Sequence, residues 1–235
     1  MGISLIVPVV NEEKTLPQFL HHVRAVVPAC EIVVVDGGSD DGSFEIAREL
    51  ADKAIQSSKG RGAQMNAGAR LAGGDVFWFV HVDSIVAGSS VRAIEQALAN
   101  PKIVGGCFRL RIDSPRWIYR VRDAIGNGLV ALRGVPLGDR GFFCRRDAFV
   151  SINGYPEIPL LEDAEFYLKL KKCGLVRQLH ETIRTSARRY EALGPWATVC
   201  FYGFIMTLYV LWIPRPLLEK IVRWYVVRAS DRPSA

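Results

Sequence analysis

Short, almost wholly apolar runs alternate with stretches of helical spacing along the first hundred residues. Residues 3–9 form a brief run with β-branched members, ended by Pro8 and Asn11. Residues 14–27 then place Leu16, Phe19, Leu20, Val23 and Val27 on one helical face. The succession recurs. A strand over 31–36 leads through a Gly/Ser/Asp turn to a helix ending at Leu50, with Ser43 as its expected cap. A short strand at 54–57, a loop and helix over 60–71, an apolar strand at 76–81 and a helix over 89–99 follow. Strands apolar on both faces belong to a parallel sheet covered on both sides. Ligands of such sheets bind at the carboxyl ends of the strands, where Asp36 and Asp83 fall.

After Pro101 the rhythm changes. A longer strand is expected over 103–112, a helix over 117–132, a short strand over 141–145 and a helix over 162–173, stopped by Gly174. Residues 196–213 carry no charge and approach the shortest length that spans a bilayer. Thr198, Tyr202, Gly203, Thr207 and Tyr209 dilute that run, and Trp196 and Trp212 mark its ends. Residues 217–227 form a second, amphipathic segment with Lys220 and Arg223, followed by Arg228. Three readings stay open for this region: docking on a membrane surface, a span, or a helical cap on a soluble domain. The expected organisation is an α/β catalytic domain over 1–190, a hydrophobic and basic helical tail over 191–228, and a flexible end at 229–235.

Charge sharpens this picture. Residues 166–235 hold twelve Lys and Arg against four Asp and Glu, whereas residues 1–165 hold eighteen against twenty. The basic excess is therefore C-terminal and interleaved with apolar residues, which suits an anionic membrane surface and argues against nucleic acid. The five cysteines are scattered without C-x-x-C spacing, as in a reducing compartment. The start, Met1-Gly2-Ile3, has no secretory character, so a cytoplasmic location at the inner face of the cell membrane is expected.

The candidate chemistry lies in carboxylates at the ends of apolar runs. Asp36, before Gly37-Gly38, can accept hydrogen bonds from a base or ribose, or simply cap its turn. Pro8 and Asn11-Glu12 can form the neighbouring wall, or be a turn and helix start. Lys59-Gly60-Arg61-Gly62 is a basic glycine-spaced loop opening a helix, a candidate diphosphate cradle. Asp75 can touch a ligand or cap a helix. Glu162-Asp163 opens a helix whose dipole favours ionised acids, and a carboxylate is the form a general base needs.

The order Pro8, Asn11-Glu12, Asp36-Gly37-Gly38-Ser39-Asp40-Asp41-Gly42-Ser43, His81-Val82-Asp83 and Glu162-Asp163 resembles the family 2 nucleotide-sugar glycosyltransferases. The resemblance implies a glycosyltransferase-A fold, Rossmann-like and mostly parallel, with a C-terminal hydrophobic helical segment here. It implies an inverting transfer from a nucleoside-diphosphate sugar, UDP being the family's usual nucleotide, to a hydroxyl acceptor. Pro8, Asn11, Glu12, Asp36, Lys59, Arg61 and Asn66 correspond to the nucleotide side. Asp163 corresponds to the base, with Glu162 supporting it. His81-Val82-Asp83 stands where the family shows Asp-x-Asp, so Asp83, with His81 as the departure, implies a divalent Mn²⁺ or Mg²⁺. Gly138-Asp139-Arg140-Gly141-Phe142-Phe143 and Ser186-Ala187-Arg188-Arg189-Tyr190-Glu191 are similar to a small bacterial branch described as arsenosugar-pathway or carotenoid/lipid glycosyltransferases. There Asp139 would orient an acceptor, and Arg188 or Arg189 would meet the diphosphate. The acceptor is a small molecule or a lipid. A polyprenyl-phosphate or lipid glycosyl synthase at the membrane, and a nucleotide-sugar-binding protein without catalysis, are the alternatives. The Q-x-x-R-W of processive synthases is missing from the sequence.

Overall fold

The structure is a computed structural model that describes residues 1–134, 136, 139–211 and 213–230. Its first half follows the apolar rhythm. Strands β1 (Ile3–Val9), β2 (Glu31–Asp36), β3 (Lys53–Gln56) and β4 (Val76–Phe79) pair in parallel. Helices α1 (Leu16–Val26), α2 (Ser43–Leu50) and α3 (Arg61–Leu71) make the crossovers between them. Successive strand residues feed opposite faces. Leu5, Val7, Ile32, Val34 and Trp78 pack with Leu16, Phe19 and Val23 of α1. Ile6, Val33, Val35, Phe77 and Phe79 pack with Met65 and Ala69 of α3.

Helix α3 sits close to the sheet because its inner face is small. A Cβ on Gly68 would come 2.5 Å from the Ile6 side chain, well inside contact distance. At its start, a Cβ on Gly62 would lie 2.3 Å from the backbone oxygen of Pro156. Only glycine lets the chain around 155–157 press on this helix end.

The second half adds β5 (Ser84–Ile85), α4 (Ser90–Leu98), β6 (Ile103–Asp113), α5 (Trp117–Arg133), β7 (Phe143–Arg145), α6 (Arg146–Ser151), α7 (Glu162–Cys173) and β8 (Leu175–Ser186). The sheet order is β3-β2-β1-β4-β7-β6-β8-β5. Strand β7 runs antiparallel between β4 and β6. After α5 the chain returns beside Ser84, at the carboxyl ends of the parallel strands, and so enters the sheet in the opposite sense. An aromatic cluster then locks α6 and α7 onto the sheet. Tyr155 stacks on Phe166 at 3.9 Å between centroids, and both meet Phe79. Such pairs contribute about 0.5–1.5 kcal/mol each beyond burial.

Two expectations need correction. Ser43 does not cap α2; its hydroxyl accepts from the Glu12 amide at 2.8 Å and donates to Asp41 at 2.5 Å. Of the readings open for 196–213, the bilayer span is also not supported, although the expected division into two segments is found. After α8 (Arg188–Leu193), helix α9 (Pro195–Val210) ends after 16 residues, and α10 (Arg215–Ser230) begins beyond Pro214. Prolines at 214 and 216 cannot continue a helical hydrogen-bond ladder, which forces the break. Among the described residues no helix is long and apolar enough to cross a membrane. The two helices fold back on the domain: Leu218 is fully buried with Leu161 and Ala164, and Phe201 stacks on Tyr225 at 3.7 Å. Residues 231–235 of the expected flexible end, and Trp212, lie outside the described residues.

Candidate active site

Four loops converge at the carboxyl ends of the parallel strands. Pro8 is buried within β1, and Asn11 follows it in the left-handed region at φ 55°. The Asn11 amide donates to the Ser39 hydroxyl at 2.9 Å, and its side-chain oxygen accepts from the Asp40 amide at 2.9 Å. The loops after β1 and β2 are thereby one unit. Asp36 ends β2 fully buried, accepting from the amides of Gly38 and Ser39 and from the Ser39 hydroxyl. Gln64 of α3 donates to the Val9 and Val35 oxygens, both at 2.9 Å, and closes the ends of β1 and β2.

Across the cleft, α3 and α7 point their N-termini at one another. Arg61 Nη1 lies 3.3 Å from Glu162 Oε1. Glu162 and Asp163 are both buried, and the preceding Leu161 is held at φ 66°. A left-handed backbone at a branched residue costs about 1–3 kcal/mol and persists only where its surroundings impose it. Here the contacts of Leu161 with Ala164 and Leu218 do so.

Burial pushes the Asp163 carboxyl well above its ordinary range, and the charge of Glu162 adds to this. Arg61 opposes the rise, Asp139 reinforces it, and the Tyr155 hydroxyl gives a small downward pull without a well-formed hydrogen bond. The ionising influence of the helix start, expected from sequence, is thus outweighed by desolvation. Arg61 itself feels burial pulling it down, but the carboxylates of Glu162, Asp163 and Asp139 raise it. It remains a cation.

Asp139 belongs to the same cluster. Its carboxylate accepts from the Ser84 hydroxyl and from the Gly141 amide, and burial raises it. Ser84 directly follows Asp83, so Asp139 stands beside the turn that carries His81 and Asp83. The backbone oxygens of His81 and Asp83 accept from Ser84 and Ser186, each at 3.0 Å, which fixes that turn between β4 and β8. Among the described residues no three His, Cys, Asp or Glu side chains are grouped as a metal cage. One carboxylate fits a Mg²⁺-like ion that draws its other ligands from phosphates and water.

The remaining sequence candidates divide. Arg188, on the corner after β8, reaches Glu12 at 3.5 Å and so borders the first loop. The Arg189 side chain and Gly138 lie outside the described residues. Lys59 is exposed on the approach to α3. Asn66 serves as a tertiary clamp. Its amide donates to the Tyr155 oxygen at 3.0 Å and to Glu157 at 3.1 Å, and its oxygen accepts from the Tyr155 amide at 2.8 Å. Asp75 accepts from the Gly2 amide, away from the cleft. Gln64 and Ser84 are additions to the expected residues, Ser84 with the signal of directly following Asp83. Tyr155 lies in Asn153-Gly154-Tyr155, a run that also precedes the Glu-Asp pair in the resembled family.

The sequence model for glycosyl transferase family 2 matches residues 4–150. The chain belongs to that family. It is 31% identical over 159 residues to the undecaprenyl-phosphate 4-deoxy-4-formamido-L-arabinose transferase of Aeromonas hydrophila, covering 61% of this chain and 48% of the relative. An uncharacterized glycosyltransferase of Nostoc is 29% identical over 120 residues, covering 48% of this chain and 37% of the relative. The chain spans about half the length or less of these curated relatives. Among solved structures it is similar to S. aureus TarS residues 1–349 in complex with UDP-GlcNAc, with a TM-score of 0.61, 17% identity, and coverage of 79% of this chain and 58% of that one. Glucosyl-3-phosphoglycerate synthase of Mycobacterium tuberculosis, solved with Mn²⁺, UDP and glucosyl-3-phosphoglycerate, gives 0.56 at 20% identity, covering 79% and 70%. At such identities the structural likeness speaks for the glycosyltransferase-A fold.

Proposed function

We propose that the protein is an inverting transferase that moves a sugar from a nucleoside diphosphate, UDP being the favoured carrier, to an acceptor oxygen. The observation that carries this is the buried Glu162-Asp163 pair facing Arg61 and Asp139 at the carboxyl ends of the strands. Pro8, Asn11, Glu12 and Asp36 line the nucleotide side in this reading, and Lys59, Arg61 and Arg188 supply positive charge for the diphosphate. Asp83, with His81 beside it, would hold a Mn²⁺ or Mg²⁺ whose chemistry is to offset charge on the leaving diphosphate. Asp163 takes the acceptor's proton as the acceptor oxygen bonds to the anomeric carbon. The bond from that carbon to the diphosphate breaks, its electrons leave with the nucleotide, and configuration inverts. A buried carboxyl raised above its ordinary range is a stronger base for this step than a solvated one.

A lipid acceptor is the favoured second reading, with a polyprenyl phosphate in place of a free hydroxyl compound. It is supported by the undecaprenyl-phosphate named for the Aeromonas relative and by the C-terminal basic excess. Catalysis would then take place at the inner face of the membrane.

Calorimetric titration with UDP, GDP and TDP, each with Mn²⁺, with Mg²⁺ and with chelator, tests the donor half. Metal-dependent binding of one nucleotide, abolished in Asp83→Ala, is the expected result. Failure of every nucleotide to bind under all conditions would remove the transferase reading.

A further inference from the structure

Helix α5 is built inside out. Its polar residues face the protein: Asp123 accepts from the Ile112 amide at 2.9 Å, and Asn127 both accepts from the Leu110 amide and donates to the Leu110 oxygen, each at 3.0 Å. The cause is the sheet. Among the described residues strand β7 pairs with β6 only at Gly105 and Gly106, and the outer part of β6 has β8 on one side and no described strand on the other. Exposed strand edges need partners. Side chains of α5 supply them, and Arg140, buried behind, anchors Asn127 at 2.7 Å.

The opposite face of α5 is consequently apolar and turned outward. Trp117 is 61% exposed, Ile125 60% and Leu132 86%, with Val121 exposed between them. On a helical wheel they share one stripe with Ala124, Gly128 and Ala131. Core packing does not account for this stripe. It continues onto α9, where Trp196 meets Trp117 edge-on at 5.2 Å. From Trp196 the exposed residues of α9 run through Cys200, Phe204 and Thr207 to Leu211, all uncharged. Basic residues border the surface: Arg120 flanks the stripe on α5, Lys220 is exposed on α10, and Arg116, also exposed, is shared with Glu191 at 3.2 Å.

We propose that α5, together with the adjoining face of α9, is a docking surface that lies on an anionic lipid bilayer. Contiguous exposed apolar patches mark interaction sites. An apolar stripe with tryptophan at its end and arginines at its border matches the interface between headgroups and acyl chains. A protein partner would be met by such a stripe equally well on apolar grounds, but the one-sided basic border selects an anionic surface. The docking does not rest on the lipid-acceptor reading.

The test is flotation of the full chain with vesicles, in the absence of nucleotide and acceptor. Vesicles of phosphatidylglycerol and phosphatidylcholine are compared with phosphatidylcholine alone. The protein is expected to float with the anionic vesicles and to be released by salt. Ile125→Ser/Leu132→Ser, which removes apolar area without adding charge, is expected to lower partitioning by about tenfold or more. Val150→Ser, an exposed apolar residue on α6, is expected to change nothing. Unaltered nucleotide titration and thermal unfolding show that the double variant is folded. Equal flotation of wild type and double variant overturns the proposal. So does failure of the wild type to float, including the case in which it is a dimer that the double variant makes monomeric. Failure of the wild type to bind any nucleotide would strike the transferase reading alone, with thermal unfolding then the fold control for the double variant.

Discussion

Arg61 Nη1 and Glu162 Oε1 stand 3.3 Å apart, joining the N-termini of α3 and α7 across the cleft. Glu162 is buried while the Arg61 side chain keeps almost half its surface open, so the pair is only partly screened. Its weight is electrostatic control of Asp163 more than stability. Arg61 is the cation that holds down the Asp163 carboxyl against burial and against Glu162. Arg61→Met is therefore expected to raise Asp163 further. The acidic limb of kcat/KM should move to higher pH, because activity needs the carboxylate. A pH–rate profile of the variant checks this, and an unmoved limb would detach Arg61 from the base.

Asp163→Asn should separate function from stability. Turnover is expected to fall by about 10²–10⁴-fold, the usual yield of a positioned base, with nucleotide affinity unchanged. The sign for stability is the reverse. A carboxyl raised on folding favours the native state fully below its unfolded pKa and progressively less as pH rises through its folded value. The amide carries no such loss, so the variant should melt higher than wild type at pH 8 and lose that advantage toward pH 4. Each kcal/mol relieved corresponds to about 2–4 °C for a chain of this size. Paired melting curves at the two pH values decide it.

Asn66→Ala distinguishes a ligand contact from a tertiary clamp. The amide is paired with the backbone of Tyr155 in both directions. Its loss should destabilise by about 1–3 kcal/mol, through buried backbone groups left unpaired. Nucleotide affinity should stay within about twofold, a tolerance of roughly 0.4 kcal/mol. Calorimetry with UDP beside a denaturant titration would read both.

Gly62→Val should uncouple the two halves of the cleft. A Cβ here meets the Pro156 oxygen at 2.3 Å, and the neighbour is backbone that cannot rotate aside. A cost of about 1–3 kcal/mol is expected from overpacking. The start of α3 must shift, carrying Arg61 away from Glu162, so activity should fall beyond what the lost stability explains. Activity measured well below the variant's Tm checks this.

Apart from the two-residue β5, the strands and helices up to residue 99 were legible because each apolar run has one period and clear punctuation. Expectation and structure differ there by a residue or two, as at Val76–Phe79 against 76–81. Strand β8 was not legible. Its sequence, Leu-Val-Arg-Gln-Leu-His-Glu-Thr-Ile-Arg-Thr-Ser, scatters exposed Leu175, Arg177, His180 and Arg184 among few buried positions, and pairing with β6 rather than local pattern makes it a strand. For α5 the spacing revealed a helix but not which face turns inward, since that depends on the open edge of β6. Cleft residues from strand ends were readable as motifs. Gln64 and Ser84 were not, because their places arise from contacts between segments distant in the chain.

The separation of Arg61 from Glu162 by 101 positions has a consequence for synthesis. The segment that carries the family signature, 4–150, ends before the base does. A ribosome delivers the loops of the nucleotide side first and α7 only later. A nascent chain paused between them would hold a ligand-recognition half with no means of turnover. With Asp163 as the proposed base, turnover would begin only once the chain is complete through α7, and translation would set that moment.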